Sequence, residues 1–201
     1  ILAAGSKPRK LEVPGEEEFQ GRGVSYCATC DGAFFRGKNV AVIGGGDSAV
    51  EESLYLTRFV NKVTIIHRRD ELRATKHLQE RAFDDPRIEF LWASEVEAIL
   101  GDQMVDRLKV NNKKTGEVIT LPADGVFIYV GMRPNTEFLQ GLVDLDPWGY
   151  IEAGEDTATS VPGIFAAGDI RTKGLRQIVT AVADGAVAAM AAERFLGEQG
   201  L

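Results

Sequence analysis

One stretch limits the folds open to this chain more than any other: Asn39 to Arg73, NVAVIGGGDSAVEESLYLTRFVNKVTIIHRRDELR. Val40, Ala41, Val42 and Ile43 form a short apolar run suited to a strand buried on both faces. Gly44-Gly45-Gly46-Asp47-Ser48-Ala49 follows and fits G-x-G-x-x-A. In that pattern the first glycine permits a tight turn, the second lets a phosphate approach the backbone, and the small third residue lets helix and strand pack closely. A helix predicted over Ser48 to Phe59 aims free N–H groups at the glycine turn. Val63 to Ile66 read as the next strand. A glycine turn alone is weak evidence, since many tight turns look like it. Strand, turn, helix and strand in order favour a dinucleotide site over a plain structural turn.

The end of the second strand refines this reading. About 20 residues past the glycines, NAD sites place an acid on the ribose 2′-hydroxyl. Here His67-Arg68-Arg69 stand there, with Arg73 one helical turn later. Guanidinium groups suit a phosphate, so the expected cofactor is NADP(H) rather than NAD(H). The alternative is a solvated basic helix start.

The chain has 201 residues, 44% of them hydrophobic, enough for one large domain or two small ones. A net charge of −7 argues against nucleic acid as a general partner. The longest apolar runs are too short for a membrane span, and no signal-peptide pattern opens the chain. Ile1 to Gly5 read as a strand, and a start without Met suggests that the chain begins inside a longer protein. A small antiparallel meander is predicted from Val96–Leu100, Arg107–Asn111 and Glu117–Leu121, turning at Thr115-Gly116. Ile88–Leu91 and Gly125–Val130 read as strands, and Glu71–Phe83 as a helix. Short strands are expected at Gly149–Ile151 and Gly163–Ala167. An alanine-rich helix, Arg176 to Leu196, is expected to pack closely on a sheet.

Cys27 and Cys30 are the two cysteines of the chain, at C-x-x-C spacing. One pair without suitably spaced histidines is a poor zinc site. Two unrelated buried thiols are possible, but Asp31 and Gly32 beside them favour an exposed turn. A redox dithiol in a reducing, cytoplasmic compartment fits best. Asp31 could pass a proton during exchange or simply cap the turn.

Together SYCATCDGAFFRGKNVAVIGGGDSAVEESLYL, IIHRRDELRATK and GIFAAGD…RQI make the chain resemble the low-molecular-weight, bacterial-type thioredoxin reductases along its whole length. The resemblance implies an α/β fold with a Rossmann-like three-layer NADP(H) domain at 8–131, carrying the meander and the CxxC pair. Residues 1–7 would be a crossover strand of an FAD domain and 132–201 its C-terminal part. The family's own N-terminal FAD glycine fingerprint has no counterpart in this chain. The implied reaction carries electrons from NADPH through FAD to a Cys27–Cys30 dithiol and on to thioredoxin. In that scheme Cys30 faces the flavin, Cys27 attacks thioredoxin and Asp31 donates a proton. Gly44, Gly46, Asp47, Ser48, His67, Arg68, Arg69 and Arg73 would hold NADPH. Gly168, Asp169, Arg176, Gln177 and Ile178 would contact FAD. The family usually has Asn-Thr where this chain has Asp47-Ser48, so Asp47 is expected to turn away and cap the helix. Phe34 and Phe35 would lie by a thioredoxin-docking surface or else pack in the core. Full-length relatives pair as homodimers, and domain rotation is implied, with hinges near Ser6–Leu11 and Gly131–Asn135. Two other readings are the reductase of a peroxide-reducing system and a non-catalytic NADP(H)-binding redox module.

Overall fold

A computed structural model describes residues 1–200 and divides the chain into two compact units, Arg9–Gly131 and a discontinuous one made of Ile1–Pro8 with the chain from Met132 onward. The chain opens not on a strand through residues 1–5 but on a single parallel bridge, Leu2 to Ala166. Gly5, at φ +69°, ends the extended run. The first true strand, β1 (Ser6–Pro8), falls within the Ser6–Leu11 segment expected to be a hinge.

The Arg9–Gly131 unit is built around a parallel sheet. Its strands are β2 (Val24–Ser25), β3 (Asn39–Ile43), β4 (Lys62–Ile66), β5 (Ile88–Leu91) and, later in the chain, a strand at Gly125–Ile128. The spatial order places that late strand between β2 and β3. Val42 stands opposite both Ile65 and Phe127. Alternate residues of these strands serve opposite faces. Val40, Val42, Val63, Ile65 and Phe127 pack against helices on one side. Ala41, Ile43, Ile66, Val126 and Ile128 face the meander on the other. Because both faces are covered, the inner strands read as largely apolar runs, Val40–Ile43 being unbroken.

The helices are α1 (Ala28–Asp31), α2 (Asp47–Leu56) and α3 (Lys76–Asp84). The sequence predicted the last helix from Glu71, five residues early. The reason lies in the backbone donors. Arg73 and Ala74 give their N–H groups to the Gly45 carbonyl at 2.6 and 3.2 Å, and Thr75 gives its own to Asp47 Oδ1 at 2.7 Å. The segment before α3 is therefore held on the glycine turn. The meander is β6 (Ser94–Gly101), β7 (Val105–Asn112) and β8 (Val118–Pro122), antiparallel throughout. The Gly125–Ile128 strand is β9, two residues shorter than expected.

In the discontinuous unit, β10 (Met132–Pro134) pairs antiparallel with β1. The strands predicted at Gly149–Ile151 and Gly163–Ala167 reduce to isolated bridges at Ile151, Phe165 and Ala166. The long helix α4 runs Ile178–Glu198, so Arg176 and Gln177 precede it and Gln177 forms its capping box with Thr180. Close packing of its alanines holds on one stripe only. Ala188 is buried, whereas Ile178, Val179, Val182, Val187 and Met190 are exposed. The unit has small apolar clusters and one buried charge cluster. Asp184 receives Arg171 Nε and Nη2 at 2.8 Å each, Lys173 Nζ at 2.7 Å and the Gly168 N–H at 2.9 Å. The Arg171 guanidinium beside it holds the Asp184 carboxyl well below the usual carboxylate range.

Candidate functional site

The glycine turn joins β3 to α2. Gly44 has φ +145°, and a Cβ there would stand 2.5 Å from the Tyr129 carbonyl oxygen and 2.9 Å from the Ala49 Cβ. The backbone therefore turns tightly where the first glycine of the pattern falls. A Cβ on Gly46, by contrast, meets nothing within 4 Å, which leaves open space over the start of α2. Gly46 caps α2, Asp47 opens it, and the exposed Ser48 follows. Asp47 does turn its carboxylate aside, but it serves the Thr75 N–H at the start of α3 and not its own helix.

A cavity of about 510 Å³ lies beside this turn. Its wall includes Gly44, Gly45, His67, Arg68, Arg73 and Tyr129. Arg69 is exposed and is not part of the wall. None of Arg68, Arg69 and Arg73 pairs with a carboxylate among the described residues. His67 is buried against Gly45, and its Nε2 has no hydrogen-bond partner there. Burial, reinforced by Arg73, Arg69 and Arg68, lowers the imidazole pKa and keeps the ring neutral at pH 7. Open space over a helix start, free guanidinium groups and an orphaned ring nitrogen together fit an anionic dinucleotide.

On the same unit, Cys27 and Cys30 form a disulfide, with their Cα atoms 5.3 Å apart. Cys30 is exposed and Cys27 half-buried. Cys27 caps the four-residue α1, its Sγ accepting from the Cys30 N–H at 3.2 Å. Asp31 closes the turn. Ser25 links both ends: its hydroxyl donates to Asp31 Oδ2 at 2.6 Å and accepts the Cys27 N–H at 3.1 Å. Sequence reasoning passed over Ser25, although it sits two residues before the first cysteine. The two phenylalanines separate. Phe34 is 79% exposed, while Phe35 is buried with its ring edge-on to Phe127 at 5.2 Å.

Tyr129, just past β9, also went unnoticed in the sequence. Its hydroxyl accepts the Ala28 N–H at 2.6 Å. The available signal was its place at the carboxyl end of a parallel strand, where ligands bind in open α/β sheets.

In the discontinuous unit, Gly168 and Asp169 lie in a short 3-10 turn. Asp169 Oδ1 and Arg176 Nε are buried without partners among the described residues. The Arg176 guanidinium lies over the Tyr150 ring at 4.0 Å, and Ile178 is 85% exposed. A polar cofactor edge would satisfy the two orphaned atoms.

This fold and these sites define a class. A profile described as pyridine nucleotide-disulphide oxidoreductase matches residues 1–185, and the chain belongs to that family. Within it, the chain is similar to bacterial thioredoxin reductases. It is 53% identical to those of Listeria innocua and Bacillus subtilis, with 98% of this chain covered in each alignment. It spans only 62% and 63% of their respective lengths. Among solved structures, thioredoxin reductase from Streptococcus pyogenes superposes with a TM-score of 0.92 at 52% identity, covering 98% of this chain and 64% of that one. Among the described residues, no helix is long and apolar enough to cross a membrane.

Proposed function

We propose that this chain carries the NADP(H)-binding and dithiol parts of a thioredoxin-disulfide reductase, working with FAD on thioredoxin or a similar small redox protein. The observation that carries the reading is the Cys27–Cys30 disulfide on the same compact unit as the glycine turn and its arginines. Arg9–Gly131 is then the nucleotide domain. Gly44, Gly46, Asp47, Ser48 and His67 shape the phosphate site, and Arg68, Arg69 and Arg73 supply cations for a 2′-phosphate. Gly168, Asp169, Arg176, Gln177 and Ile178 belong to the flavin-binding part.

When bound, NADPH supplies a hydride and FAD relays its two electrons. The residues of the chain do the rest. Opening the Cys27–Cys30 bond takes two electrons and two protons. Asp31, held by the Ser25 hydroxyl, is placed to move one of those protons at a cysteine sulfur. A Cys27 thiolate then attacks the protein disulfide, forming a mixed disulfide and releasing one thiol of the partner. Cys30 displaces the second thiol and restores the original bond, so the partner leaves with both electrons. The full protein works as a homodimer in a reducing, cytoplasmic compartment.

The test follows NADPH oxidation by the full chain with added FAD and oxidised thioredoxin. Thioredoxin-dependent oxidation is expected, with a preference for NADPH over NADH that Arg68→Ala with Arg69→Ala reduces. Cys27→Ser or Cys30→Ser should lower turnover at least about a thousandfold, because no dithiol remains. Bound nucleotide and flavin with no thioredoxin reduction would overturn the assignment.

A further inference from the structure

Tyr129 touches both halves of the chemistry on the Arg9–Gly131 unit. Its backbone N–H donates to the Ile43 carbonyl at 2.8 Å, fixing it beside the last residue before the glycine turn. Its carbonyl oxygen crowds Gly44 closely enough to exclude a side chain there. Tyr129 forms part of the wall of the cavity that holds Gly45, His67, Arg68 and Arg73. Its hydroxyl accepts the N–H of Ala28, the residue between Cys27 and the rest of α1. Ala28 is fully buried, so no water replaces that acceptor if it leaves.

We propose that Tyr129 is a positioning residue coupling the nucleotide cavity to the dithiol, so that nucleotide occupancy and the redox state of Cys27–Cys30 bias each other. This rests on the reading of the cavity as the NADP(H) site. When the disulfide opens, the two sulfur atoms move apart to van der Waals separation, and the turn holding the Ala28 N–H must readjust. The phenol oxygen bonded to that N–H follows, and so does the residue in the cavity wall. A ligand in the cavity resists or favours the same movement. Linkage makes the effect reciprocal.

The surroundings keep the hydroxyl neutral. Burial raises its pKa well above the usual phenol range, and the Glu52 and Asp31 carboxylates raise it further. The Glu52 carboxyl is itself pushed up by burial and by Glu51. Its Oε2 is buried without a hydrogen-bond partner among the described residues.

The experiment uses the full chain and two readouts. First, NADP⁺ is titrated calorimetrically into the disulfide form and into the dithiol form. The dithiol form is made with excess dithiothreitol, which gives up two electrons and two protons and closes into its cyclic disulfide. The wild-type dissociation constants are expected to differ about fivefold or more between the two forms. In Tyr129→Phe the ratio should fall below about twofold. Second, without nucleotide, the equilibrium of Cys27–Cys30 against dithiothreitol should shift about fivefold or more in Tyr129→Phe. A purely structural role for the phenol would lower the melting temperature and leave both ratios in place. Equal NADP⁺ ratios in wild type and variant, or an unmoved dithiol equilibrium, overturn the coupling alone. Failure of the wild type to bind NADP⁺ overturns the reading of the cavity and the coupling with it. If Tyr129→Phe does not fold, 3-fluorotyrosine at position 129 fills the same space with a weaker acceptor, and the same outcomes decide.

Discussion

The two units hold themselves together by different physics. Arg9–Gly131 has apolar clusters on both faces of a five-stranded parallel sheet, centred on side chains such as Phe127, Leu56 and Ile65 that are fully buried. The discontinuous unit has a two-stranded ladder, isolated bridges, two small apolar clusters and a helix with much of its apolar surface exposed. Its buried charge cluster centres on an aspartate, Asp184, with two cations and a backbone donor around it. A unit built on apolar burial should respond only slightly to pH. One built on a buried ion cluster should respond more.

The largest expected effect attacks the apolar side. Phe127→Ala removes a fully buried ring from β9, an inner strand of the sheet, and from its contact with Phe35. The loss should be about 3–5 kcal/mol. Urea unfolding followed by Trp92 fluorescence measures it, and the loss should be the same at pH 5 and pH 8. A loss under about 1 kcal/mol would mean that this face of the sheet is not the main source of stability.

Asp184→Asn comes next. It leaves Arg171 and Lys173 buried without a counter-charge, at a cost of about 3 kcal/mol near pH 7. The sign of the pH dependence follows from the depressed carboxyl. The folded state binds fewer protons here than the unfolded chain, so the contribution is fully present above the ordinary carboxylate pKa of about 4. It fades as the pH falls through that value towards the lower folded pKa. Wild type and Asp184→Asn should therefore converge in acid, as seen by circular dichroism of the helical signal. A constant gap down to pH 2 would break the comparison from this side.

The smallest effect tests whether the apolar unit has a titration of its own. The His67 pKa is lowered, so the folded state disfavours the imidazolium. Stability from this group is complete above its ordinary value of about 6.5 and declines as the pH drops below it. Urea midpoints measured across that range should fall slightly in wild type and stay flat in His67→Asn. A rise on acidification would reverse the assignment of the ring as neutral.

The sequence was most readable where interactions are local or periodic. β3, β4 and β5 are close to their predicted limits, because strands covered on both faces are mostly apolar, although β5 at the sheet edge carries the exposed Glu89. The meander was legible from alternation and its turn. The start of α3 was not, since its donors are taken by Gly45 and Asp47, nearly thirty positions away. Single-bridge contacts in the discontinuous unit carry too little repetition to be told from loops. At the candidate site, the glycines, the arginines and the cysteines announced themselves by spacing. Ser25 and Tyr129 did not, because their roles depend on which strand ends lie side by side in space.

The close fit between Gly45 and the His67 ring has an evolutionary corollary. A methyl group at position 45 would come within 2.5 Å of three imidazole ring atoms. Position 45 cannot drift alone: lineages that enlarge the glycine must first shrink the histidine. The pair should therefore surface as a correlated substitution in deep sequence comparisons, although the two positions sit more than twenty residues apart.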